Sequence, residues 1–220
     1  MSLEIEFAKN PEPRCPVVLL LDTSGSMSGQ PIDELNAGLV TFKQAVQQDT
    51  TALLRVEVAI ITFNSSANLV QDFVTVDQFY PPQLTTSGTT SMGEGIELAL
   101  NEVESRKATY KSNGIQYYQP WVFLITDGAP NPGWEGAARR VRQADTERKI
   151  SFYAVGVQGA DMNILGQIAP INTPPLMLKG LQFQELFRWL SDSMKRVSSS
   201  KVGGGQTSLP PVSGWAQTNT

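Results

Sequence analysis

Three short stretches of the chain combine oxygen-bearing side chains in a way that could hold a metal ion. Residues 22–27 read Asp-Thr-Ser-Gly-Ser-Met and follow directly on the apolar run Val17-Val18-Leu19-Leu20-Leu21. This is the pattern of a buried strand that ends in one carboxylate and two hydroxyls, Asp22, Ser24 and Ser26, with Gly25 leaving the loop free to curl. A second apolar run, Trp121 to Thr126, ends in Asp127-Gly128, and Ser87-Gly88-Thr89-Thr90 supplies further hydroxyls just ahead of a helical pattern. Hard oxygens converging on one point suit a small divalent cation: magnesium, with manganese or calcium as alternatives. An isolated Asp-x-Ser-x-Ser is weak evidence, because these are common turn residues. The signal lies in the three stretches together.

What is missing sharpens the reading. The chain has no histidine and a single cysteine. Every Ser-His-Asp or Cys-His mechanism and every imidazole zinc site is thereby removed, and transition metals are left almost without soft ligands. Gly88-Thr89-Thr90-Ser91-Met92-Gly93 lacks the Lys-Ser/Thr of a phosphate-binding loop, and no Gly-x-Ser-x-Gly elbow occurs. An aspartyl-phosphate enzyme would place a second acid two residues after Asp22, where Ser24 stands.

The elements that must position these residues follow from the hydrophobic pattern. Val17–Leu21 is an apolar run without polar alternation, as expected of a strand covered on both faces, and Arg55–Phe63, with Val56, Val58, Ile60 and Ile61, Trp121–Thr126 and Ser151–Val157 read as further strands. Between them, Ile32, Leu35, Leu39, Phe42 and Val46 recur at spacings of three and four behind Pro31, which suits a helix's first turn. Helices are also expected from near Gly93, around Ala137, Val141 and Ala144, and from Phe183 to Val197. A short strand at Asn68–Phe73 pairs antiparallel across Asn64-Ser65-Ser66, and a weak strand lies at Leu176–Leu178. Alternating strands and helices predict an α/β, doubly wound, mostly parallel sheet with helices on both faces. Such sheets collect ligands at the carboxyl ends of their strands, where Asp22 and Asp127 stand.

The 220 residues suit one domain at 15–197, with an N-terminal extension at 1–14 and a flexible C-terminal tail at 198–220, rich in Ser, Gly and Pro. Leu3, Ile5 and Phe7 alternate with Glu4 and Glu6, which could make a short edge strand. A net charge of −4 argues against nucleic acid, and the cluster Arg139, Arg140, Arg142, Arg148 and Lys149 includes Asp145 and Glu147, so it reads as a solvated helix face. Cys15 reads as a small packed residue and fits a reducing compartment. With neither a signal peptide nor an apolar stretch long enough for a membrane, the expected location is cytoplasmic.

Asp22-Thr23-Ser24-Gly25-Ser26-Met27, Gly88-Thr89-Thr90 and Ile125-Thr126-Asp127-Gly128 together resemble the metal-ion-dependent adhesion site of von Willebrand factor type A domains. The resemblance spans about residues 15–197 and matches Asp22, Ser24, Ser26, Thr90 and Asp127. Thr90 is chosen over Thr89 because the family threonine ends a Gly-x-Thr and precedes a Gly-aliphatic pair by five residues, here Gly95-Ile96. It implies six strands in the order 3-2-1-4-5-6 with the third antiparallel, direct metal contacts from the Ser and Thr residues, and Asp contacts often through water. Asn10-Pro11-Glu12-Pro13-Arg14-Cys15-Pro16 is similar to bacterial TerY-like proteins of tellurium-resistance and stress-response clusters. That narrower likeness implies a protein kinase and a metal-dependent phosphatase as partners.

The resulting expectation is a non-enzymatic, metal-dependent module that binds a partner protein through an Asp or Glu carboxylate, with no nucleic acid and no membrane. The rival readings are a metal-assisted hydrolase or phosphatase, which lacks an evident general base, and a purely structural ion holding three loops together.

Overall fold

A strand covered by helices on both sides buries both of its faces, and β1 (Cys15–Asp22), apolar from Val17 to Leu21, is buried throughout. In the computed structural model, which describes residues 7–204 and 207–218, Val17, Leu19 and Leu21 face one core while Val18 and Leu20 face the other. Helix α1 (Gln30–Val46) carries Pro31 in its first turn and buries Ile32, Leu35, Leu39, Phe42 and Val46, the face that the spacing predicts. A short helix α2 (Thr50–Arg55) follows, capped by Asp49, whose carboxylate accepts the N–H groups of Thr51 and Ala52. It takes Arg55 away from the strand expected there, so that β2 runs Val56–Phe63. Strand β3 (Ala67–Thr75) returns antiparallel beside β2.

Helix α3 (Met92–Ser112), strand β4 (Trp121–Thr126), helix α4 (Glu135–Thr146) and strand β5 (Ser151–Gly156) come next. A further short helix, α5 (Met162–Ile168), is capped by Asp161. The described chain closes with strand β6 (Leu176–Leu178), helix α6 (Phe183–Ser199) and strand β7 (Ala216–Thr218). Helices α2 and α5 are too short to show a hydrophobic period, and their signal is the Asp cap ahead of each.

The sheet has the order β3-β2-β1-β4-β5-β6-β7. Pairs β1–β2, β1–β4, β4–β5 and β5–β6 are parallel; β2–β3 and β6–β7 are antiparallel. Helices α1 and α6 pack together over one face, and α3, α4 and α5 cover the other. The order expected for six strands is present, but the sheet has seven and a second antiparallel pair. Opposite β2, β3 shows register shifts between Val58 and Ile60 and between Ile60 and Ile61. No helix among the described residues is long and apolar enough to cross a membrane.

The seventh strand comes from the segment expected to be a flexible tail, and the expectation is corrected there. One residue accounts for it. Trp215 is 2% exposed, with its ring centroid 5.4 Å from that of Trp189. Its carbonyl accepts from Lys179 N–H at 2.9 Å, Lys179 Nζ donates to Ser213 O at 2.6 Å, and Trp189 Nε1 donates to Pro210 O at 2.8 Å. The average composition of residues 198–220 is polar, but burying a single indole contributes several kcal/mol, enough to seat a short strand.

The N-terminal boundary also moves. Leu3 and Ile5 lie outside the described residues; Phe7 sits in a helical turn and is buried. Arg14, assigned to an extension, is wholly buried against Glu57. Glu57 is 0% exposed and accepts from Arg14 Nε at 2.7 Å, Arg106 Nε at 2.9 Å, Arg106 Nη2 at 2.8 Å and the Tyr110 hydroxyl. The guanidinium carbons of Arg14 and Arg106 each lie 5.3 Å from the Phe7 ring centroid. This cluster closes the end of the sheet where β1 and β2 begin. Beside it Cys15 is packed with its Sγ 3.8 Å from Met194 Sδ, and burial, reinforced by the charge of Glu57, pushes its thiol up to about 12.

Two outcomes are expected in urea unfolding. Trp215→Ala should lower stability by roughly 3–5 kcal/mol, as for other buried indoles; an unchanged midpoint would show that the segment is not docked. Arg106→Met should lower it by about 3–5 kcal/mol, because Glu57 then loses a cation without regaining water.

Candidate metal centre

The carboxyl ends of β1 and β4 lie side by side, and the site grows from them. Asp22, the last residue of β1, is 0% exposed. Its Oδ1 accepts the Ser24 N–H at 2.8 Å and its Oδ2 accepts the Thr126 hydroxyl from the end of β4. The turn that begins at Ser24 places Ser24 Oγ and Ser26 Oγ 3.0 Å apart, and Ser26 Oγ donates to Asp127 Oδ1 at 2.8 Å. Ser24 is buried and Ser26 exposed, so this row of oxygens runs from the interior to the surface.

The loop between β3 and α3 brings the last hydroxyl. Asn36 on α1 holds it at Leu84 in both directions, Nδ2 donating to Leu84 O at 3.0 Å and Oδ1 accepting Leu84 N–H at 2.8 Å. Further on, Ser87 N–H donates to Thr23 O at 2.9 Å and Gly25 N–H to Gly88 O at 3.1 Å, which ties this loop to the Asp22 turn. Gly88 has φ +72°, and a Cβ there would fall 2.2 Å from Ser65 Oγ, so no other residue fits. Thr90 is buried, and a Cβ on Gly128 would lie 3.2 Å from Thr90 Oγ1 and 3.6 Å from Asp22 Oδ2. Both oxygens therefore flank the same point. Thr89 instead is exposed, its hydroxyl accepting from Asn131 Nδ2 at 3.1 Å.

Asp22, Ser24, Ser26, Thr90 and Asp127 are thus brought to one end of the sheet. Sequence reasoning missed the residues that hold them there. Thr126 anchors Asp22, and Asn131 clamps two loops: its N–H donates to Thr90 O at 2.9 Å and its Nδ2 also reaches Ser91 Oγ at 3.2 Å. The hydroxyl of Thr126 was legible as the residue between an apolar strand and Asp127. Asn131 was masked by its setting, Pro130-Asn131-Pro132-Gly133, which reads as an ordinary turn.

The electrostatics are one-sided. Burial pushes the Asp22 carboxyl above the usual range; hydrogen bonds from Ser24 and Thr126 oppose this, and the neighbouring charge of Asp127 adds to it. Burial likewise raises Asp127 against the hydrogen bond from Ser26. Among the described residues neither carboxylate has an ion pair, and no three of His, Cys, Asp and Glu converge anywhere. Two desolvated carboxylates held by neutral donors alone would be stabilised by a cation, and a donor set of carboxylate and hydroxyl oxygens fits a hard one.

Comparison with known proteins identifies the family and the fold. A model of the von Willebrand factor type A domain family matches residues 17–186. An uncharacterized protein of Synechocystis, sll0103, is 22% identical over 188 residues, covering 79% of this chain and 41% of its own length. Two solved structures share the fold. The pilus adhesin SpaC of Lactobacillus rhamnosus GG, in its open conformation, has TM-score 0.65 and 14% identity, over 84% of this chain and 30% of the adhesin. A von Willebrand factor type A protein of Catenulispora acidiphila has TM-score 0.61 and 16% identity, over 84% and 43%. The chain therefore spans less than half the length of each of these relatives.

Removing the side-chain half of the clamp, the Asn131 Nδ2 contacts to Thr89 and Ser91, should loosen the site without unfolding the domain, while the backbone bond to Thr90 O persists. Asn131→Ala is expected to weaken manganese binding by about tenfold, as for outer residues that orient ligands, while changing stability by only about 1 kcal/mol. Calorimetry alongside thermal melting measures both; unchanged manganese affinity would show that the clamp does not orient the site.

Proposed function

The chain belongs to the von Willebrand factor type A domain family, and we propose that it is a protein-binding module whose site holds a divalent cation, magnesium or manganese, to recognise a carboxylate of a partner. Domains of this family often mediate protein–protein interaction. The observation that carries the metal-dependent reading is the pair of desolvated carboxylates, Asp22 and Asp127, joined through Ser24 and Ser26 and left without a cation of the protein's own among the described residues.

Ser24, Ser26 and Thr90 would contact the ion directly, with Asp22 and Asp127 supplying charge, directly or through water. An ion held mainly by hydroxyls keeps much of its electrophilicity, and an Asp or Glu side chain of a partner is the hard anionic ligand it would accept. The protein's own residues do the positioning: Thr126 fixes Asp22, Asn131 fixes the Thr90 loop, and the exposure of Ser26 opens the row to a partner. No side chain in the set is a histidine or lysine that could serve as a separate general base, which favours binding over hydrolysis.

The finer assignment rests on the segment Asn10–Pro16. It supports a place in a bacterial tellurium-resistance or stress-signalling system, with a protein kinase and a metal-dependent phosphatase among the partners, in the cytoplasm.

Magnesium at a hundred times its dissociation constant should stabilise the folded chain by about 2.7 kcal/mol, since the ion binds only the assembled site. A Ser24→Ala, Ser26→Ala double variant should lose that gain and still fold. In pull-downs from the native host, the partner should be retained in magnesium and released by chelator. Undiminished metal binding by the double variant would refute the ligand set. A partner retained equally in both buffers would make the ion a structural clip.

A further inference from the structure

At the opposite pole, where β4 and β5 begin with Trp121 and Ser151, the chain forms an open cleft of about 1270 Å³. Its walls carry Lys107, Lys111, Arg142, Arg148, Lys149 and Lys201, against the acids Glu104 and Asp145. On a chain whose net charge is −4, this is a local concentration of positive charge. Part of it belongs to the cluster that reads in sequence as a solvated helix face. The fold changes that reading, because α3, α4 and the segment after α6 bring their cations to one concavity.

Three of these cations have no partner among the described residues. Lys107 pairs with Glu104 and Lys149 with Glu147, both across short contacts of 2.8 and 2.6 Å. Among the described residues, Lys111, Arg148 and Lys201 make no side-chain hydrogen bond or ion pair. Arg148 carries a second, independent signal. It is the one non-glycine residue with positive φ among those described, at 54°, in the turn that ends α4. Arg148 N–H donates to Asp145 O and Lys149 N–H to Ala144 O, a helix end in which glycine or asparagine sits without strain. An arginine kept in that conformation, with its guanidinium in solvent at a cleft wall, is strain located where charge is displayed.

The remaining surroundings select the ligand. Trp121 and Tyr153, with ring centroids 5.0 Å apart, contribute to the lining, and Ile171 stands 92% exposed at the rim. Acids interleaved with the cations would repel a continuous phosphate backbone. The volume exceeds the roughly 300–1,000 Å³ of small-ligand pockets. An extended polypeptide with spaced carboxylates and an apolar side chain matches both the charge and the aromatic surface. We propose that this cleft docks an acidic segment of a partner polypeptide. The docking is independent of the metal centre, so that the domain has two recognition poles.

The test uses the full chain, isotopically labelled, in chelator, with a peptide of glutamates spaced by serines around one central leucine as probe. Saturable shifts are expected at backbone amides of residues 107–111, 142–149 and 171–173. Arg148→Glu should weaken binding by about tenfold with an unchanged melting temperature, as for a charge at an interface. Arg148→Gly should weaken binding while raising the melting temperature, a combination that a merely structural role would not give. The proposal is overturned by absent shifts, by shifts confined to residues 24–26 and 127, or by equal affinity for Arg148→Glu. Tighter binding of a single-stranded oligonucleotide than of the peptide would overturn the choice of occupant. Because chelator removes the metal reading from the experiment, failure here leaves that reading standing, and its failure leaves this one.

Discussion

The molecule depends on how it treats two buried carboxylates at opposite ends of adjacent central strands. Glu57, at the start of β2, is neutralised by two guanidinium groups and a phenol from within the chain. Asp22, at the end of β1, is equally inaccessible but receives only neutral donors, a backbone N–H and a threonine hydroxyl. An ionised carboxylate in low dielectric needs compensation. At one pole the protein supplies it internally and gains a closed, rigid end to the sheet. At the other it supplies only neutral donors, and the uncompensated charge is what the proposed cation would offset.

This division explains why loops rather than helices carry the site. Asp22, Thr126 and Asp127 are set by strands that cannot shift without breaking parallel ladders on both sides. Ser26 and Thr90 stand on loops, but each loop is bound to its neighbour by backbone hydrogen bonds, Gly25 to Gly88 and Asn131 to Thr90. The oxygens are therefore placed by a scaffold outside themselves, which is what a binding site on an otherwise rigid α/β sheet requires.

The legibility of all this in sequence was uneven for physical reasons. Strands β1, β2 and β4 announce themselves because two-sided burial makes their central runs almost wholly apolar, and α1 because its apolar period is sustained over four turns. That Asp22, Ser24, Ser26, Thr90 and Asp127 would gather at one end of the sheet was legible because they follow β1 and β4 or precede α3. Helices α2 and α5 were hidden by their length, and β7 by composition, since a segment average does not weigh one indole. The pairing of Arg14 and Arg106 with Glu57 has no local signal, because nothing in a segment marks a charge as buried; only partners separated by 43 and 49 residues in the chain reveal it.

The two outer strands have a bearing on how copies of this chain behave when crowded. An unpaired strand edge is a template on which another molecule can add, and a long flat one is a growth front for fibrils. Here one margin is β3, which exposes Leu69 and Val70 but departs twice from regular pairing with β2, and such irregularity twists an edge away from in-register addition. The other margin is β7, three residues long. Without it β6, itself three residues and buried at both ends, would be the bare margin. Among the described residues, the strand seated by Trp215 therefore leaves that side of a mostly parallel sheet with a margin only three residues long, short for another strand to pair along.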